Sequence, residues 1–470
     1  MTEPPMRGAP RTGSDRPLDA RTTLTELYWA GVRAVEPGPA LRAALERRDA
    51  RFARRVWLIA LGKAAHPMAA AAVQVMASRG IEPAGGIILA PSPASSPHAS
   101  IVSVMGDHPI PGAHSFAAAE RLGEVVTRVR ADDEVWVLLS GGATSLAAAP
   151  IAGLTPADLI ALYTLLLGSG LDIRAMNAIR KRCSRWGAGR LVAALHPAPV
   201  SQFVISDVIG DDLAAIGSGP CVPDTSTAAD VHAALADAGL WDRTPLGVRE
   251  YLYSVERDPS LETPKPGNAA FDTVDTEIVA GNRIALDAIA KRAAELEYTP
   301  RIVDAAVIGE AAALGARLGA YLRSYCDSAR AALSGRTDRP CLIWGGEPTV
   351  TLPATGATGM GGRCQELALA AARALAEPSA TTATAHPSDR APSLLAAGTD
   401  GRDGATDAAG AIVDSGTWDA IRRAGRDPAR DLAAHDSYVA LDAVGAVLRT
   451  GLTGTNVMDV VIGICEYNQE

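Results

Sequence analysis

Aromatic residues and lysine are both scarce in this chain of 470 residues. Phe, Trp and Tyr together make up 4% of the sequence, so the hydrophobic cores must be built mainly from Ala, Val, Leu and Ile. Only four of the 44 basic residues are lysines, and the others are arginines. The four lysines are Lys63, Lys181, Lys265 and Lys291. Because the chain uses arginine almost everywhere else, each lysine is a candidate position where a compact ammonium is required and a guanidinium would not fit.

The sequence also lacks an unbroken apolar run long enough to cross a membrane. The two longest stretches without Asp, Glu, Lys or Arg, residues 83–106 and 135–157, are interrupted by Gly, Pro, Ser and Thr. We therefore expect no transmembrane helix and no membrane partner. Residues 1–20 contain no apolar segment either, so they are predicted to be a disordered tail and not a signal peptide.

An excess of positive charge is missing as well. The formal net charge is −9, whereas nucleic-acid-binding proteins usually present a basic face, so no nucleic-acid partner is expected. The six cysteines have no C-x-x-C spacing and the eight histidines have no metal-ligand spacing, which argues against a zinc site. We predict that the cysteines are reduced, as in a cytoplasmic protein.

Short apolar runs alternate with helix-length segments, a pattern typical of α/β proteins with parallel sheets. The candidate strands of the first half are residues 56–61, 86–90, 101–104, 135–140 and 203–206. A second series comprises residues 278–280, 301–304, 341–344, 349–352 and 394–397. A Pro- and charge-rich segment before residue 266 predicts domains at 21–265 and 266–465. Residues 377–392, rich in Ala, Thr, Pro and Ser, are predicted to be a surface insertion.

Five clusters share one arrangement, in which an apolar run stops at glycines accompanied by Lys, Ser, Asp or Arg. Ligands bind at the carboxyl ends of strands in open α/β sheets, so the clusters are candidate parts of one site. The clusters are Gly62-Lys63, Ser140 to Ser145, Ser206-Asp207 to Gly219, Gly345 to Glu347 together with Gly361 to Arg363, and Gly398 to Asp407.

Two of the clusters supply a cation at a predicted helix start. Lys63 precedes an Ala-rich segment, where helix amides favour an anion and a compact ammonium suits phosphate. Arg363 opens an Ala- and Leu-rich segment, and its planar fork matches phosphate or carboxylate oxygens. The alternatives are a solvated lysine at a helix start and an ordinary surface arginine.

The loop Ser140-Gly141-Gly142 with Thr144 and Ser145 combines backbone freedom with hydroxyl donors, which suits phosphate or carboxylate oxygens. It has neither the Walker spacing nor the Gly-x-Gly-x-x-Gly dinucleotide fingerprint. The alternative is a tight turn between a strand and a helix.

Carboxylates stand in the remaining clusters. Asp207 at a strand end and Asp400 with Asp403 in a Gly-rich turn are suited to hold Mg²⁺ or to accept a proton. An EF-hand is excluded because Ala411 stands where the bidentate Glu would be. The alternative is a plain Asp-Gly turn. His108 either orients a ligand or is a structural histidine beside a proline.

In this order the motifs resemble the type-2 glycerate kinases, a two-domain family whose C-terminal part is called MOFRL. The shared motifs are Gly62-Lys63-Ala64, Gly106-Asp107-His108-Pro109, Ser140-Gly141-Gly142, Asn177-Ala178-Ile179-Arg180-Lys181, Ser206-Asp207-Val208 with Gly210-Asp211, Ser218-Gly219-Pro220, Gly345-Gly346-Glu347, Gly361-Gly362-Arg363, Gly398-Thr399-Asp400-Gly401 with Asp403-Gly404, and Thr453-Gly454-Thr455-Asn456-Val457. The resemblance covers about residues 24 to 464.

The resemblance implies an α/β fold with a doubly wound Rossmann-like first domain, a smaller MOFRL-type α/β second domain and an active site in the cleft between them. It implies phosphorylation of D-glycerate by ATP with Mg²⁺, usually at O2. The catalytic residues would be Lys63, Arg363, Asp207 and Asp400, and the two aspartates would also be the candidate metal ligands. The implied binding residues are Asp107, His108, Ser140, Gly141, Gly142, Thr144, Ser145, Asn177, Arg180, Gly210, Ser218, Gly219, Glu347, Gly361, Gly362, Asp403 and Asn456. A homodimer is compatible with this interpretation.

The chain departs from the family pattern near the predicted cleft. Gly187 stands where the family has a lysine, Ala175 replaces an acidic residue, and Cys364 replaces an asparagine. Leu452 and Met458 replace a proline and an asparagine. We therefore hypothesise an acceptor that is larger or less anionic than glycerate.

Two further alternatives belong to other functional classes. A hydroxypyruvate reductase would need a nicotinamide site, and the dinucleotide fingerprint is missing after the first strand. A catalytically inactive binding protein is the other, against which stands the retention of Lys63, Asp207, Arg363 and Asp400.

Overall fold

The computed structural model describes residues 19–48, 55–171, 173–332, 339–353, 359–377 and 392–465. Residues 1–18 of the predicted tail and 378–391 of the predicted insertion lie outside the described residues. The last two residues of the predicted tail belong to the first helix. Asp19 is its N-cap, and its side chain accepts a hydrogen bond from the Thr22 N–H.

Six strands form the first sheet, and all of them are parallel. The strands are β1 Val56–Leu61, β2 Pro83–Ala90, β3 Ile101–Met105, β4 Glu134–Leu139, β5 Val200–Ile205 and β6 Val274–Ala280. Their order is β3-β2-β1-β4-β5-β6, the doubly wound arrangement, so the predicted Rossmann-like fold is confirmed. Strand β1 is buried along its whole length, which explains its continuous apolar run.

The second sheet is also six-stranded, but it is mixed. Its strands are β7 Thr299–Glu310, β8 Pro340–Thr349, β9 Pro392–Gly398, β10 Gly410–Asp414, β11 Val447–Leu448 and β12 Asp459–Cys465. Their order is β11-β10-β9-β12-β8-β7, and only the β7–β8 pair is parallel. The prediction of a separate strand at 349–352 is wrong, because β8 already ends at Thr349.

Sixteen helices with α geometry lie within the described ranges. They are α1 Ala20–Ala34, α2 Pro37–Arg47, α3 Ala65–Ser78, α4 Ala113–Val126, α5 Ala143–Leu146, α6 Pro156–Leu167, α7 Ile173–Cys183, α8 Arg190–Leu195, α9 Ala228–Asp237, α10 Leu246–Arg257, α11 Asn282–Glu295, α12 Ala311–Ala332, α13 Arg363–Ala376, α14 Thr417–Arg423, α15 Pro428–Ala433 and α16 Ser437–Asp442.

The segments before and after the first sheet in sequence both pack against the second sheet. Strand β6, placed in the second series by its sequence, pairs with β5 and closes the first sheet. Helix α1 packs with α11 against the second sheet, where the Tyr28 hydroxyl donates to the Gly398 carbonyl at 2.9 Å. The chain therefore passes from the first sheet to the second between residues 280 and 299, whereas the predicted domain boundary is at residue 265.

A disulfide joins Cys326 on α12 to Cys465 at the end of β12. The prediction of six reduced cysteines is therefore wrong for this pair, which is 139 residues apart in sequence and carries no spacing signal. The other four cysteines are free and buried. Among the described residues, no helix combines the length and the hydrophobicity needed to cross a bilayer.

Candidate active site

The loops after β1 and β4 meet at the point where the strand order of the first sheet reverses. The Lys63 N–H donates to the Gly141 carbonyl at 2.9 Å, and the Ala64 N–H donates to the Ser140 hydroxyl at 3.0 Å. These two bonds fix the loop that carries Lys63, whose side chain is exposed. In doubly wound sheets this reversal is the usual ligand site.

His108 joins Lys63 over the backbone of Gly142. Gly142 has φ 86°, a conformation that favours glycine, and a β-carbon there would lie 3.1 Å from His108 Cδ2 and 3.4 Å from Lys63 Cε. Burial, together with the Lys63 charge, lowers the pKa of His108. At neutral pH His108 is therefore a neutral imidazole beside a cation.

Asp207 follows β5 and lies against the same glycine pair. A β-carbon at Gly141 would overlap the Asp207 Oδ2 atom. Burial raises the pKa of Asp207 above its ordinary value, the Lys63 charge opposes this shift, and the charge of Glu347 adds to it. A carboxylate with a raised pKa beside a lysine is suited to accept a proton near neutral pH.

In the second sheet Arg363 is held by two carboxylates. Its Nε and one Nη donate to the two oxygens of Asp459 at 2.6 and 3.0 Å, and its other Nη donates to Glu347 at 2.7 Å. Arg363 is the first residue of α13, Glu347 lies on β8, and Asp459 opens β12. The guanidinium is thereby fixed at the ends of these three elements.

Asp403 shapes the loop that precedes Arg363. Its carboxylate accepts the N–H groups of Cys364 and Gln365 at 3.1 and 2.7 Å, so it caps α13. A β-carbon at Gly362 would overlap it. Burial raises the pKa of Asp403 to about 7, although the two N–H bonds favour the charged form. The carboxylate of this predicted binding residue is engaged in helix capping.

Asp400 follows β9 and belongs to the same cluster as Asp459. A β-carbon at Gly398 would lie 3.1 Å from Asp400 Oδ1 and 3.4 Å from Asp459 Oδ1. Asp400 Oδ1 also accepts the Arg402 N–H at 3.0 Å, which closes a turn. The predicted catalytic aspartates therefore come from different sheets, Asp207 from the first and Asp400 from the second.

The two clusters lie on facing sheet edges. Asn282, directly after β6, donates through Nδ2 to the Val457 and Asp459 carbonyls at 2.9 and 3.0 Å, so it ties the first sheet to β12. The charge of Glu347 acts on Asp207, which places those two carboxylates near each other. The Lys63–Asp207 cluster of the first sheet therefore lies close to the Glu347–Arg363 cluster of the second. An active site in the cleft between the domains stays a prediction.

Several other predicted binding residues line the first-sheet side. The Thr144 and Ser218 hydroxyls are 2.8 Å apart, and the Ser145 hydroxyl donates to the Gly142 carbonyl at 3.2 Å. Gly210 and Gly219 adopt positive φ, as the turns after β5 require. These residues belong to the segments that follow β4 and β5.

Two predicted binding residues, Asp107 and Arg180, have structural partners. The Asp107 carboxylate accepts the His114 and Ser115 N–H groups at 3.0 and 3.2 Å, which caps α4. The Arg180 guanidinium lies 4.8 Å from the ring centre of Tyr163, and Asn177 precedes it by one turn on α7.

Two predicted binding residues of the second sheet shape their loops. Gly361 approaches Ser437 so closely that a β-carbon would overlap its hydroxyl. Asn456 accepts the Met458 N–H at 3.1 Å.

The position of the missing family lysine lies against Ser218. A β-carbon at Gly187 would be 3.2 Å from both Ser218 Cβ and the Lys181 carbonyl oxygen. Lys181 itself is buried in an ion pair with Asp224 at 2.8 Å. Gly187 is therefore next to Ser218, whose hydroxyl is 2.8 Å from that of Thr144.

Within the described ranges there is no group of three or more His, Cys, Asp or Glu side chains able to hold a metal ion. The cleft instead offers carboxylates from both sides, Asp207 and Glu347. Mg²⁺ usually keeps several waters and is bound by one or two carboxylates together with substrate phosphates. These residues fit a Mg²⁺ ion that arrives with a nucleotide.

Sequence reasoning missed Asp459 and Asn282. Asp459 is the one charged residue between Val457 and Cys465, so an acidic residue opening an apolar strand was the available signal. Asn282 follows Gly281 at the end of β6, which repeats the pattern of the five clusters.

Comparisons with known proteins show the family of the chain. Residues 23–253 match the domain of unknown function DUF4147, and residues 340–459 match the MOFRL family. The chain is 33% identical over 458 residues to the glycerate 2-kinase of Pyrococcus horikoshii, covering 95% of this chain and 98% of that protein.

The chain belongs to the glycerate 2-kinase family.

One solved structure and one further protein are also similar to the chain over most of its length. The crystal structure of a glycerate kinase from Thermotoga maritima matches with a TM-score of 0.80 and 33% identity, covering 95% of this chain and 99% of that one. A putative hydroxypyruvate reductase of Agrobacterium vitis is 35% identical over 443 residues, which is 94% of each chain. The family assignment thus rests on both sequence and fold along almost the whole chain.

Proposed function

We propose that this protein transfers the terminal phosphoryl group of ATP to a hydroxyl of D-glycerate, giving 2-phosphoglycerate. The observation that carries the proposal is that Lys63 and Asp207 both lie at the Gly141-Gly142 loop of the first sheet, with Arg363 fixed at the strand ends of the second. Phosphoryl transfer depends on positioning and charge neutralisation, and this arrangement supplies both.

Each side chain has a definite role in the proposal. Asp207 accepts the proton of the attacking hydroxyl, because its carboxylate is partly buried and its pKa is raised. Lys63 and Arg363 neutralise the charge that develops on the transferred phosphoryl group. The Gly141-Gly142 backbone allows the acceptor to approach both Lys63 and Asp207.

Asp207 and Glu347 are the carboxylates that would hold a Mg²⁺ ion arriving with ATP, and the ion would neutralise phosphate charge. Asp400 supports the Arg363 side through its place beside Asp459. Asp400 as a second metal ligand stays a prediction, and its Oδ1 already accepts the Arg402 N–H at 3.0 Å.

The test is turnover of purified protein with ATP and D-glycerate, measured as ADP release, with ³¹P NMR to identify the product. Formation of 2-phosphoglycerate is expected. A Lys63→Ala variant is the control for contaminating kinases and should be inactive. Absence of glycerate-dependent ADP release from the wild type would contradict the proposal.

A larger or less anionic acceptor is the second candidate. It is favoured by Gly187, which stands next to Ser218 at the position of the family lysine, and by Leu452, whose side chain in the loop next to Asp400 is 74% exposed. A panel of hydroxy acids and polyols assayed beside glycerate separates the two candidates. A kcat/KM for glycerate above that for every larger compound would exclude the second.

The reductase alternative is tested in the same preparation by hydroxypyruvate-dependent NADH oxidation, which we expect to be absent. A homodimer and a cytoplasmic location stay predictions. Light scattering of the protein in solution tests the first. The Cys326–Cys465 disulfide removes the cysteine argument for the second.

A further inference from the structure

Arg363 has two carboxylate partners that differ sharply in environment. The Asp459 side chain is 3% exposed and binds the guanidinium through two atoms, Nε and one Nη. The Glu347 side chain is 42% exposed and receives a single bond from the other Nη. A buried fork-to-fork pair has a fixed geometry, whereas a partly exposed single contact exchanges readily.

Asp459 is itself held in place by the sheet. It lies opposite Gly346 of β8 and Gly398 of β9, between two strands that each bring a predicted site residue to the cleft. Its carbonyl accepts the Asn282 Nδ2 donor from the first-sheet side.

We propose that Asp459 is the positioning residue of Arg363, holding one edge of the guanidinium so that only the edge now paired with Glu347 is presented to a phosphoryl or carboxylate group. Glu347 is the partner that such an anion replaces. This inference rests on the proposed function, because it assigns Arg363 a ligand anion.

The first test is a double-mutant cycle of Arg363→Ala and Asp459→Asn. Asp459→Asn keeps the side-chain shape but removes the charge, and we expect it to lower kcat by about 10- to 100-fold in the wild-type background. In the Arg363→Ala background it should lower kcat no further, because a positioning residue acts only through its partner. Losses that multiply in the double variant would overturn the proposal.

The second test is chemical rescue of Arg363→Ala by millimolar guanidinium, with urea as the uncharged control. The Asp459 carboxylate should hold the added guanidinium, so turnover should rise at least about 10-fold over the urea control. Rescue should be lost in the Arg363→Ala/Asp459→Asn variant. Equal rescue of both variants, or no rescue of Arg363→Ala, contradicts the proposal.

Arg55 supplies a matched control. Its Nε donates at 2.7 Å to the fully buried Asp133, at the opposite edge of the first sheet. Arg55→Ala should keep wild-type turnover and should not respond to guanidinium. Unfolding midpoints of all variants show whether any loss of kcat reflects folding.

The failure of the proposed function has a different signature. In that case the wild type shows no glycerate-dependent ADP release, and the same four proteins of the cycle are compared by calorimetric titration with ATP. Asp459→Asn should then weaken ATP binding in the wild-type background and have no effect in the Arg363→Ala background. Equal weakening in both backgrounds overturns the positioning role.

Discussion

The main chain of Gly141 lies against the carboxylate of Asp207, so closely that a β-carbon at residue 141 would overlap Oδ2. The carboxylate of the proposed proton acceptor is thus positioned by the absence of a side chain on the neighbouring loop. Glycine is required here for space, since Gly141 does not have a positive φ.

Gly141→Ala should therefore displace Asp207 and lower kcat by about 100-fold, the effect expected from a shift of about 1 Å at a reacting group. Gly168→Ala is the matched control, because a β-carbon there meets nothing closer than 3.9 Å and its φ is −94°. Steady-state kinetics of both variants check the prediction. Near-normal kcat in Gly141→Ala would show that Asp207 is not the proton acceptor.

Lys63→Arg should lower kcat by about 100- to 1,000-fold, comparable to the loss of one charge-stabilising donor. The ammonium stands over Gly142 beside His108, where a planar guanidinium would need a different geometry. Lys291→Arg, an exposed position on α11, is the matched control and should retain full activity. An active Lys63→Arg enzyme would show that any cation suffices at this position.

Asp403 should make the folded protein less stable as the pH rises. Burial raises its pKa from 3.8 to about 7, so the folded state binds its proton more tightly than the unfolded chain does. The stabilisation is complete below about pH 4 and is lost as the pH rises through 7.

Asp403→Asn keeps one oxygen that accepts one of the Cys364 and Gln365 N–H groups, as in the protonated carboxyl, and removes the titration. We expect the free energy of unfolding of the wild type to fall by about 1 to 4 kcal/mol more than that of the variant between pH 4 and 8. Urea denaturation across this range measures it. Parallel pH profiles would mean that Asp403 is ionised throughout.

The Cys326–Cys465 disulfide predicts a response to reductant. Four thiols should react with iodoacetamide in the unreduced, denatured protein, and six after reduction. Dithiothreitol should lower the free energy of unfolding by about 2–4 kcal/mol in the wild type. Cys326→Ser should be insensitive to reductant, and six reactive thiols before reduction would disprove the pairing.

The first sheet was predictable because parallel strands buried on both faces have apolar runs with Gly-rich ends. The positions of Lys63, Ser140 and Asp207 follow from those ends, since parallel strands bring their carboxyl ends to one edge. The second sheet was less predictable. Strands β10, β11 and β12 were missed. Strand β6 was assigned to the wrong series because an apolar run does not show which sheet it joins.

The ion-pair partners of the site residues could not be predicted from the sequence either. Arg363 was identified as a candidate, but Asp459 lies 96 residues further along the chain and reaches it only through the pairing of β12 with β8 and β9. Asp107 and Asp403 resembled ligands because a helix-capping aspartate and a ligand-binding aspartate have the same local sequence pattern.

Helix α1 belongs in sequence to the half of the chain that builds the first sheet, yet it covers the second sheet beside α11. A chimera that joins this protein to a relative at a single point between residues 280 and 299 would combine an α1 from one parent with a second sheet from the other. The apolar contacts of Leu24, Leu27 and Tyr28 would then be mismatched. A chimera that exchanges the second sheet between family members therefore requires two crossover points, so that helix α1 comes from the same parent as the second sheet.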